Sequence, residues 1–289
     1  MDTLSSPPEA YWPAPAKLNL FLHVVARRVD GFHDLQTMFQ LIDLCDRIHI
    51  DVLDEPRVER VSLAGTIQAT DDPADDLAIR AALALQAEAG TRAGGARIAV
   101  DKRIPVGGGL GGGSSDAATV LVALNALWSL DFSVERLAQI GLGLGSDVPL
   151  FVRGHSAWGE GRGERLRPMS LPARWYVVLH PREFVSTRAI LQAPELTRNS
   201  PLLTIPEFLA TGGRNDCEPV VRARHVAVAA ALDWLAAYAP ARLTGTGSCI
   251  FAGFASVHAA EEVAAEIPAQ WSGFVARGLD VSPLQERLG

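Results

Sequence analysis

Ile104-Pro105-Val106-Gly107-Gly108-Gly109-Leu110-Gly111-Gly112-Gly113-Ser114-Ser115-Asp116 is the stretch from which the fold is read. Six of these residues are glycine, and a breaker-free apolar run from Asp116 to Trp128 follows at once. Its Ala, Leu and Val content predicts a buried helix, with Ser114 or Ser115 as the N-cap. Upstream, Arg97 to Ile104 carries Ile98, Val100 and the apolar stem of Lys102 on alternate positions, the period of a strand. A strand, a loop without β-carbons and a helix N-terminus together make an anion site. Backbone N–H groups can approach a ligand closely there, and the helix dipole favours negative charge. The plain alternative is a flexible Gly/Ser linker. Placement between two strongly patterned apolar elements argues for phosphate binding instead.

Which kind of phosphate loop this is follows from its spacing. A Walker A loop needs Lys immediately before the Ser or Thr, and here Gly113 precedes Ser114. The dinucleotide pattern G-x-G-x-x-G does fit Gly107, Gly109 and Gly112, with Asp131 near the distance expected for a ribose contact. A run this rich in glycine satisfies many templates by chance, however. Ser133 to Ile140 after Asp131 reads as a capped second helix where a Rossmann unit needs a second strand.

Composition bounds the rest. The chain of 289 residues is 48% apolar and 20% charged, an ordinary globular balance long enough for two joined lobes. Its net charge of −7 argues against nucleic acid or an anionic membrane as a partner. Cys45, Cys217 and Cys249 have no metal-ligand spacing, so reduced and mostly buried thiols are expected. There is no signal-peptide pattern and no uninterrupted apolar span, the Ala-rich run after Val226 being broken by Asp233. The expected setting is cytoplasmic.

In chain order, residues 1–14 hold three prolines and read as a loose leader. Leu18, Leu20 and Leu22 then alternate with Lys17, Asn19 and Phe21, a strand that puts Lys17 and Asn19 on one face about 7 Å apart. From these two residues alone, plain solvent exposure is the simpler reading. Asp30-Gly31-Phe32-His33 is a turn whose aromatic pair serves either as an anchor or as a lid on a planar ligand. Met38 to Val52 and Pro56 to Ala69 read as strand regions, the first broken by Asp43 and Asp46. Leu77 to Ala89 reads as a helix capped by Asp75 or Asp76. Glycines around Asp147, with Pro149 after it, hold that carboxylate on a tight loop. Gly154 to Gly163 marks a hairpin or a lobe boundary, and Trp175 to His180 a buried strand. Leu166 to Arg174, with two prolines, is the expected break between lobes. Asn215-Asp216 opens a helix, and His225 to Tyr238 is a long one. Thr244 to Ser248 is a second small-residue loop, able to offer backbone donors and leading into an apolar strand. A helix over Val257 to Glu266 and a strand near Gly273 to Ala276 close a small α+β lobe.

Three small-residue loops, a lysine on an early strand and a glycine-framed aspartate suit phosphoryl transfer. The phosphates need backbone donors, the attacking hydroxyl needs a carboxylate, and a cation must offset developing charge. Pro105 to Ser115 resembles the signature loop of the galactokinase–homoserine kinase–mevalonate kinase–phosphomevalonate kinase (GHMP) superfamily. Pro15-Ala-Lys-Leu-Asn-Leu-Phe-Leu22, Asp30-Gly-Phe-His33, Gly145-Ser-Asp-Val-Pro149 and Leu243-Thr-Gly-Thr-Gly-Ser248 resemble, in order, its branch that phosphorylates a cytidine diphosphate-linked methylerythritol.

The resemblance spans nearly the whole chain and implies an α+β, two-lobe GHMP-kinase-like fold. Residues 1–168 would form a ribosomal-S5-domain-2-like lobe that binds ATP and carries the catalytic residues. Residues 169–289 would form a ferredoxin-like, substrate-side lobe. It further implies Asp147 as general base with Lys17 beside it, and ATP phosphates wrapped by Pro105, Val106, Gly107, Gly108, Gly109, Leu110, Gly111, Gly112, Gly113, Ser114 and Ser115. Lys102 and Leu77 would lie near adenine. Asn19, Phe32, His33, Thr187, Gly245, Thr246 and Gly247 would line the substrate side, with His33 reading the cytosine edge and Phe32 stacking on the ring. Magnesium should accompany ATP, although no acidic pair identifies its ligands. Phe32 stands where tyrosine is usual, Asp76 where an asparagine often contacts adenine, and Leu191 where an aromatic commonly completes the cytosine sandwich. A sister kinase acting on homoserine or mevalonate, a dinucleotide-dependent oxidoreductase and a silent sensor are the competing readings. Monomer and homodimer are both open.

Overall fold

The computed structural model describes residues 3–4, 10–63, 70 and 72–288. In chain order the first half contains β1 (Thr3–Leu4), β2 (Trp12–Arg27), β3 (His33–Leu53), β4 (Val58–Leu63), α1 (Leu77–Ala89), β5 (Gly95–Asp101), α2 (Gly112–Leu127), α3 (Val134–Leu142), α4 (Val148–Arg153), β6 (Ala157–Gly161) and β7 (Arg165–Pro168). The second half contains β8 (Trp175–His180), α5 (Thr187–Leu191), α6 (Ile205–Thr211), α7 (Glu218–Arg224), α8 (Val226–Ala236), β9 (Ala241–Leu243), β10 (Ile250–Phe254), α9 (Val257–Ala265), β11 (Ser272–Leu279) and α10 (Pro283–Leu288).

The hub is β3. Expected to break at Asp43 and Asp46, it instead runs unbroken for 21 residues and absorbs the polar pair in a register shift opposite Pro15/Ala16. Along its length it pairs with β2, β5, β6 and, at Leu41 and Ile42, with β11. One face of this sheet is covered by α1 to α4, whose Leu85, Leu121, Leu124 and Phe151 pack with Ile48 and Ile98 in a first core. The second half forms an antiparallel sheet in the order β11-β8-β10-β9, the ferredoxin-like arrangement. The α7 and α8 helices, with α9, close one face in a second core around Val177, Leu232 and Ile250.

The other face of that sheet, with Tyr176, Val178 and Phe251, packs on Leu18, Ile42, Ile104 and Leu110. A third core therefore clamps β2 and the glycine loop between the two halves. The fold is α+β. The strand expected over Pro56 to Ala69 is seen as β4, with residues 64–69 outside the described residues. Most of the expected leader also lies outside them, while Trp12, Pro13 and Ala14 already belong to β2. The terminal α10 was not signalled by any periodicity.

Candidate active site

The glycine loop is a backbone nest. Gly107, Gly109 and Gly111 have φ of +73°, +75° and +76°, so left-handed residues alternate with ordinary ones and successive N–H groups turn toward one concavity. The close approach is real at Gly109, where a β-carbon would stand 2.4 Å from the Thr244 carbonyl oxygen. Helix α2 starts at Gly112, earlier than the serine cap predicts, with left-handed Gly111 as its N-cap and no side-chain cap bond. That correction has a chemical reason. A serine cap would occupy the first-turn N–H groups that a phosphate needs. Loop and second loop brace each other, for Cys249 N–H donates to Gly108 O (3.1 Å) and Thr244 Oγ1 to Gly109 O (3.4 Å).

Lys17 and Asn19 share a face of β2, yet both are only 3% exposed, against the simpler reading of a solvated face. The Lys17 ammonium donates to Asn19 Oδ1 (2.6 Å) and to Gly109 O (2.9 Å), and lies 3.4 Å from Asp147 Oδ2. It thus ties the nest to the carboxylate. Asp147 occupies the N-cap position of α4 but makes no cap bond, and its side chain is 29% exposed, so the carboxylate is open to solvent. Asn19 is spent on positioning, since its Nδ2 donates to Thr37 Oγ1 (2.9 Å) and its N–H to Thr244 Oγ1 (3.0 Å). Thr37 in turn donates to the Phe21 carbonyl.

Lys102 turns inward. It is held between Asp46 and Asp116 beneath the start of α2, where a β-carbon on Gly112 would lie 3.2 Å from its nitrogen. Burial works against its charge, but the Asp116 and Asp46 carboxylates outweigh burial and raise its pKa. Burial also pushes the Asp116 carboxyl up, to about 8, with the Lys102 ammonium opposing the rise. Asp46 is tied further into the backbone, accepting the Arg103 (2.5 Å) and Ile104 (2.8 Å) N–H groups. Leu77 reaches the loop, its Cδ1 lying 3.4 Å from where a Gly113 β-carbon would stand.

On the other side of Asp147 a cleft of about 200 Å³ is lined by Phe32, His33, Leu35, Ser146, Arg162 and Leu191, among others. Phe32 is half exposed and carries the Arg162 guanidinium 4.0 Å from its ring centroid. His33 is buried, and its pKa is lowered by burial and by the neighbouring Arg198 and Arg27 cations. Arg198 Nε donates to His33 Nε2 (3.2 Å), which makes Nε2 the acceptor and leaves the proton on Nδ1 of a neutral ring. Thr187 and Thr246 hydroxyls join at 2.8 Å across the second loop. Asn215 Nδ2 holds that loop through Leu243 O and Gly245 O, both at 2.8 Å.

The structure therefore gathers Lys17, Asp147, Asn19 and the nest at one point, with Phe32 and His33 in the adjoining cleft. Lys102 is set under the loop. Sequence reasoning missed Thr37, Arg162, Arg198 and Asn215, polar residues in stretches without a motif. For Asn215, reading the Asn-Asp pair as a helix opener hid its second use as a loop clamp. Among the described residues no group of three His, Cys, Asp or Glu side chains gathers to hold a metal. Burial raises the pKa of each of the three thiols, Cys45 and Cys217 to about 12, and so disfavours their thiolates.

Residues 76–155 match the family model of the GHMP kinases N-terminal domain, and residues 196–273 that of the GHMP kinases C-terminal domain. A 4-diphosphocytidyl-2-C-methyl-D-erythritol kinase of Halorhodospira halophila is 56% identical over 280 residues, 96% of each chain. Its counterpart in Chromohalobacter salexigens is 51% identical over 96% of this chain and 93% of its own. A crystal structure of a 4-(cytidine 5'-diphospho)-2C-methyl-D-erythritol kinase superposes with a TM-score of 0.79 at 34% identity, covering 93% of this chain and 99% of that one. A mevalonate kinase structure shares the fold at a TM-score of 0.69 and 13% identity.

Proposed function

Because the chain belongs to the 4-diphosphocytidyl-2-C-methyl-D-erythritol kinase family of GHMP kinases, we propose that it moves the γ-phosphoryl group of ATP to the 2-hydroxyl of that cytidyl alcohol, a step of the non-mevalonate route to isoprenoids. The observation that carries this reading is the Lys17–Asp147 pair, 3.4 Å apart, whose ammonium also binds a carbonyl of the glycine nest. That pair supports a carboxylate base and a cation acting beside the nest.

In the proposed step Asp147 accepts the proton of the 2-hydroxyl as its oxygen attacks the γ-phosphorus. The bond to the bridging oxygen breaks and ADP leaves. Lys17 offsets the negative charge gathering on the attacking oxygen, and Asn19 holds Lys17 in place. The nest from Pro105 to Ser115 supplies donors that need no reorganisation. Lys102 supports that nest from below, and Leu77 lies at the adenine side. Neutral His33 offers Nδ1–H to the cytosine edge, with the ring between Phe32 and Leu191. Thr187, Gly245, Thr246 and Gly247 line the methylerythritol end.

Bound magnesium would neutralise phosphate charge. With no acidic cluster among the described residues, the donor set fits an ion held mainly by phosphate and water oxygens. A division into lobes at 168/169 is supported by the irregular segment between β7 and β8. Each copy of the chain carries the whole set, so a monomer or a homodimer would serve. None of the helices among the described residues is long and apolar enough to cross a membrane, and a cytoplasmic setting is proposed with that in view.

The deciding experiment is a transfer assay with ATP, magnesium and 4-diphosphocytidyl-2-C-methyl-D-erythritol, with homoserine and mevalonate in parallel. ADP and a monophosphorylated product are expected from the cytidyl alcohol alone. Product from homoserine or mevalonate, or from none of the three, would overturn the reading.

A further inference from the structure

A second cavity, of about 290 Å³, opens on the far side of β2 from Lys17 and Asn19. Its walls are apolar, built from Leu20, Leu171, Phe208 and Phe251, yet three polar side chains reach it: Arg174, Tyr176 and Arg242. Arg242 is committed to backbone, donating to Leu20 O at 2.9 Å and to Gly212 O. Among the described residues the other two are not. The Arg174 guanidinium, on an exposed residue, forms no hydrogen bond or ion pair, and the Tyr176 hydroxyl opens to the cavity without a protein hydrogen-bond partner. The Arg174 cation lies close enough to act on the Tyr176 phenol, which burial holds at a pKa of about 12 and hence in its donor form.

Both groups therefore stand as donors open to the cavity, available to a ligand that accepts from them. No carboxylate lines the cavity, in a chain of net charge −7. The field inside is therefore locally positive against an acidic surface. At roughly 30 Å³ per heavy atom, the share of a water molecule in the liquid, the space takes a ligand of about ten heavy atoms. We propose that this cavity is a second ligand site, for a small amphipathic anion whose apolar body fills the Leu20–Phe208–Phe251 walls and whose carboxylate or phosphate head accepts from Arg174 and Tyr176. It is independent of the kinase reading.

Octanoate and hexyl phosphate serve as probes for the two head groups, with octanol and acetate as controls lacking the charge or the body. Titration calorimetry on the full chain should show saturable one-to-one binding of at least one anion, at least about tenfold tighter than octanol or acetate. Arg174→Gln should weaken it about tenfold or more, and Tyr176→Phe about threefold to tenfold. Both variants should melt as cooperatively as the parent and keep its turnover of the cytidyl alcohol, which separates this test from that of the catalytic assignment. Absence of saturable binding to either anion, equal affinity in parent and Arg174→Gln, or displacement of the probe by cytidine diphosphate would each overturn the proposal.

Discussion

Asp147 sits where a helix cap would sit and does not cap. An aspartate at an N-cap ordinarily spends an oxygen on the backbone. Here that oxygen is left for Lys17, 3.4 Å away, and for a hydroxyl in the cleft. Asp147→Asn keeps the shape and removes the proposed base, so turnover should fall roughly 10²-fold or more while ATP binding, read by equilibrium titration, is retained. A near-normal turnover number would refute the role. Arg198 makes the second residue-scale case. Its guanidinium donates to His33 Nε2 and to the carbonyls of Leu191 (2.9 Å), Ala193 (2.7 Å) and Leu196 (3.0 Å). It therefore fixes both the tautomer of His33 and the backbone of Leu191 on the other wall of the cleft. Arg198→Met should raise KM for the cytidyl alcohol about tenfold and leave kcat within about threefold, while an unchanged KM would remove the positioning role. The turn signature at Phe32-His33 left anchor and lid both open, and a substrate role for the pair came from the family resemblance. The role of Arg198 was not legible, because its partners lie up to 165 positions away and no local pattern encodes them.

At the scale of elements, the glycine loop is the part most fully legible, because glycine is required where φ is positive and backbones touch, and both leave a compositional trace. Its helix start was misread for the complementary reason: serine propensity predicts a cap, and a phosphate site works only without one. This distinction can be tested within the loop. Gly109→Ala combines φ of +75° with a β-carbon 2.4 Å from the Thr244 carbonyl, so the loop must shift. The variant should melt several degrees below the parent, backbone strain of this kind costing about 1–3 kcal/mol, and ATP KM should rise at least about tenfold. Gly113→Ala, inside α2 with ordinary φ and only Leu77 Cδ1 at 3.4 Å, should melt at or above the parent temperature. Equal melting of the two would mean that glycine is not demanded where the nest geometry demands it. The burial of Lys17 and Asn19 was hidden at this scale. Alternation put them on one face of β2, but only the two small-residue loops, through Gly109 and Thr244, decide that the face is covered.

For the whole molecule, the division into two halves could be read from strand and helix alternation, whereas the strand order could not. The pairing of β11 joins residues 92 to 102 positions apart with β8, and 236 and 238 positions apart with β3, and the clamping of β2 between halves is equally non-local. Those same long-range contacts bury histidines, and this makes stability depend on pH in a definite direction. His23, His33, His49 and His180 all have pKa values lowered, in each case first by burial. His23 and His49 hydrogen-bond Pro201 O and Ala10 O through Nδ1, and each Nε2 is buried without a partner, so a second proton would be stranded. A histidine whose folded pKa lies below its unfolded value near 6.5 contributes stability that is complete above pH 6.5 and is lost as pH falls through the folded value. Asp116, raised to about 8, has the opposite sign: its contribution is present below the unfolded value near 4 and is lost as pH rises toward 8. Four histidines outnumber one carboxyl below pH 6.5, and above it the carboxyl acts alone. The melting temperature should therefore peak between about pH 6.5 and 7. It should fall on acidification to pH 5 by roughly 3 °C or more, each net proton tilting stability by about 1.4 kcal/mol per pH unit. His23→Gln, which hydrogen-bonds without titrating, should flatten the acid limb. A melting temperature that holds or rises between pH 6.5 and 5 would show that these rings are not kept neutral by burial.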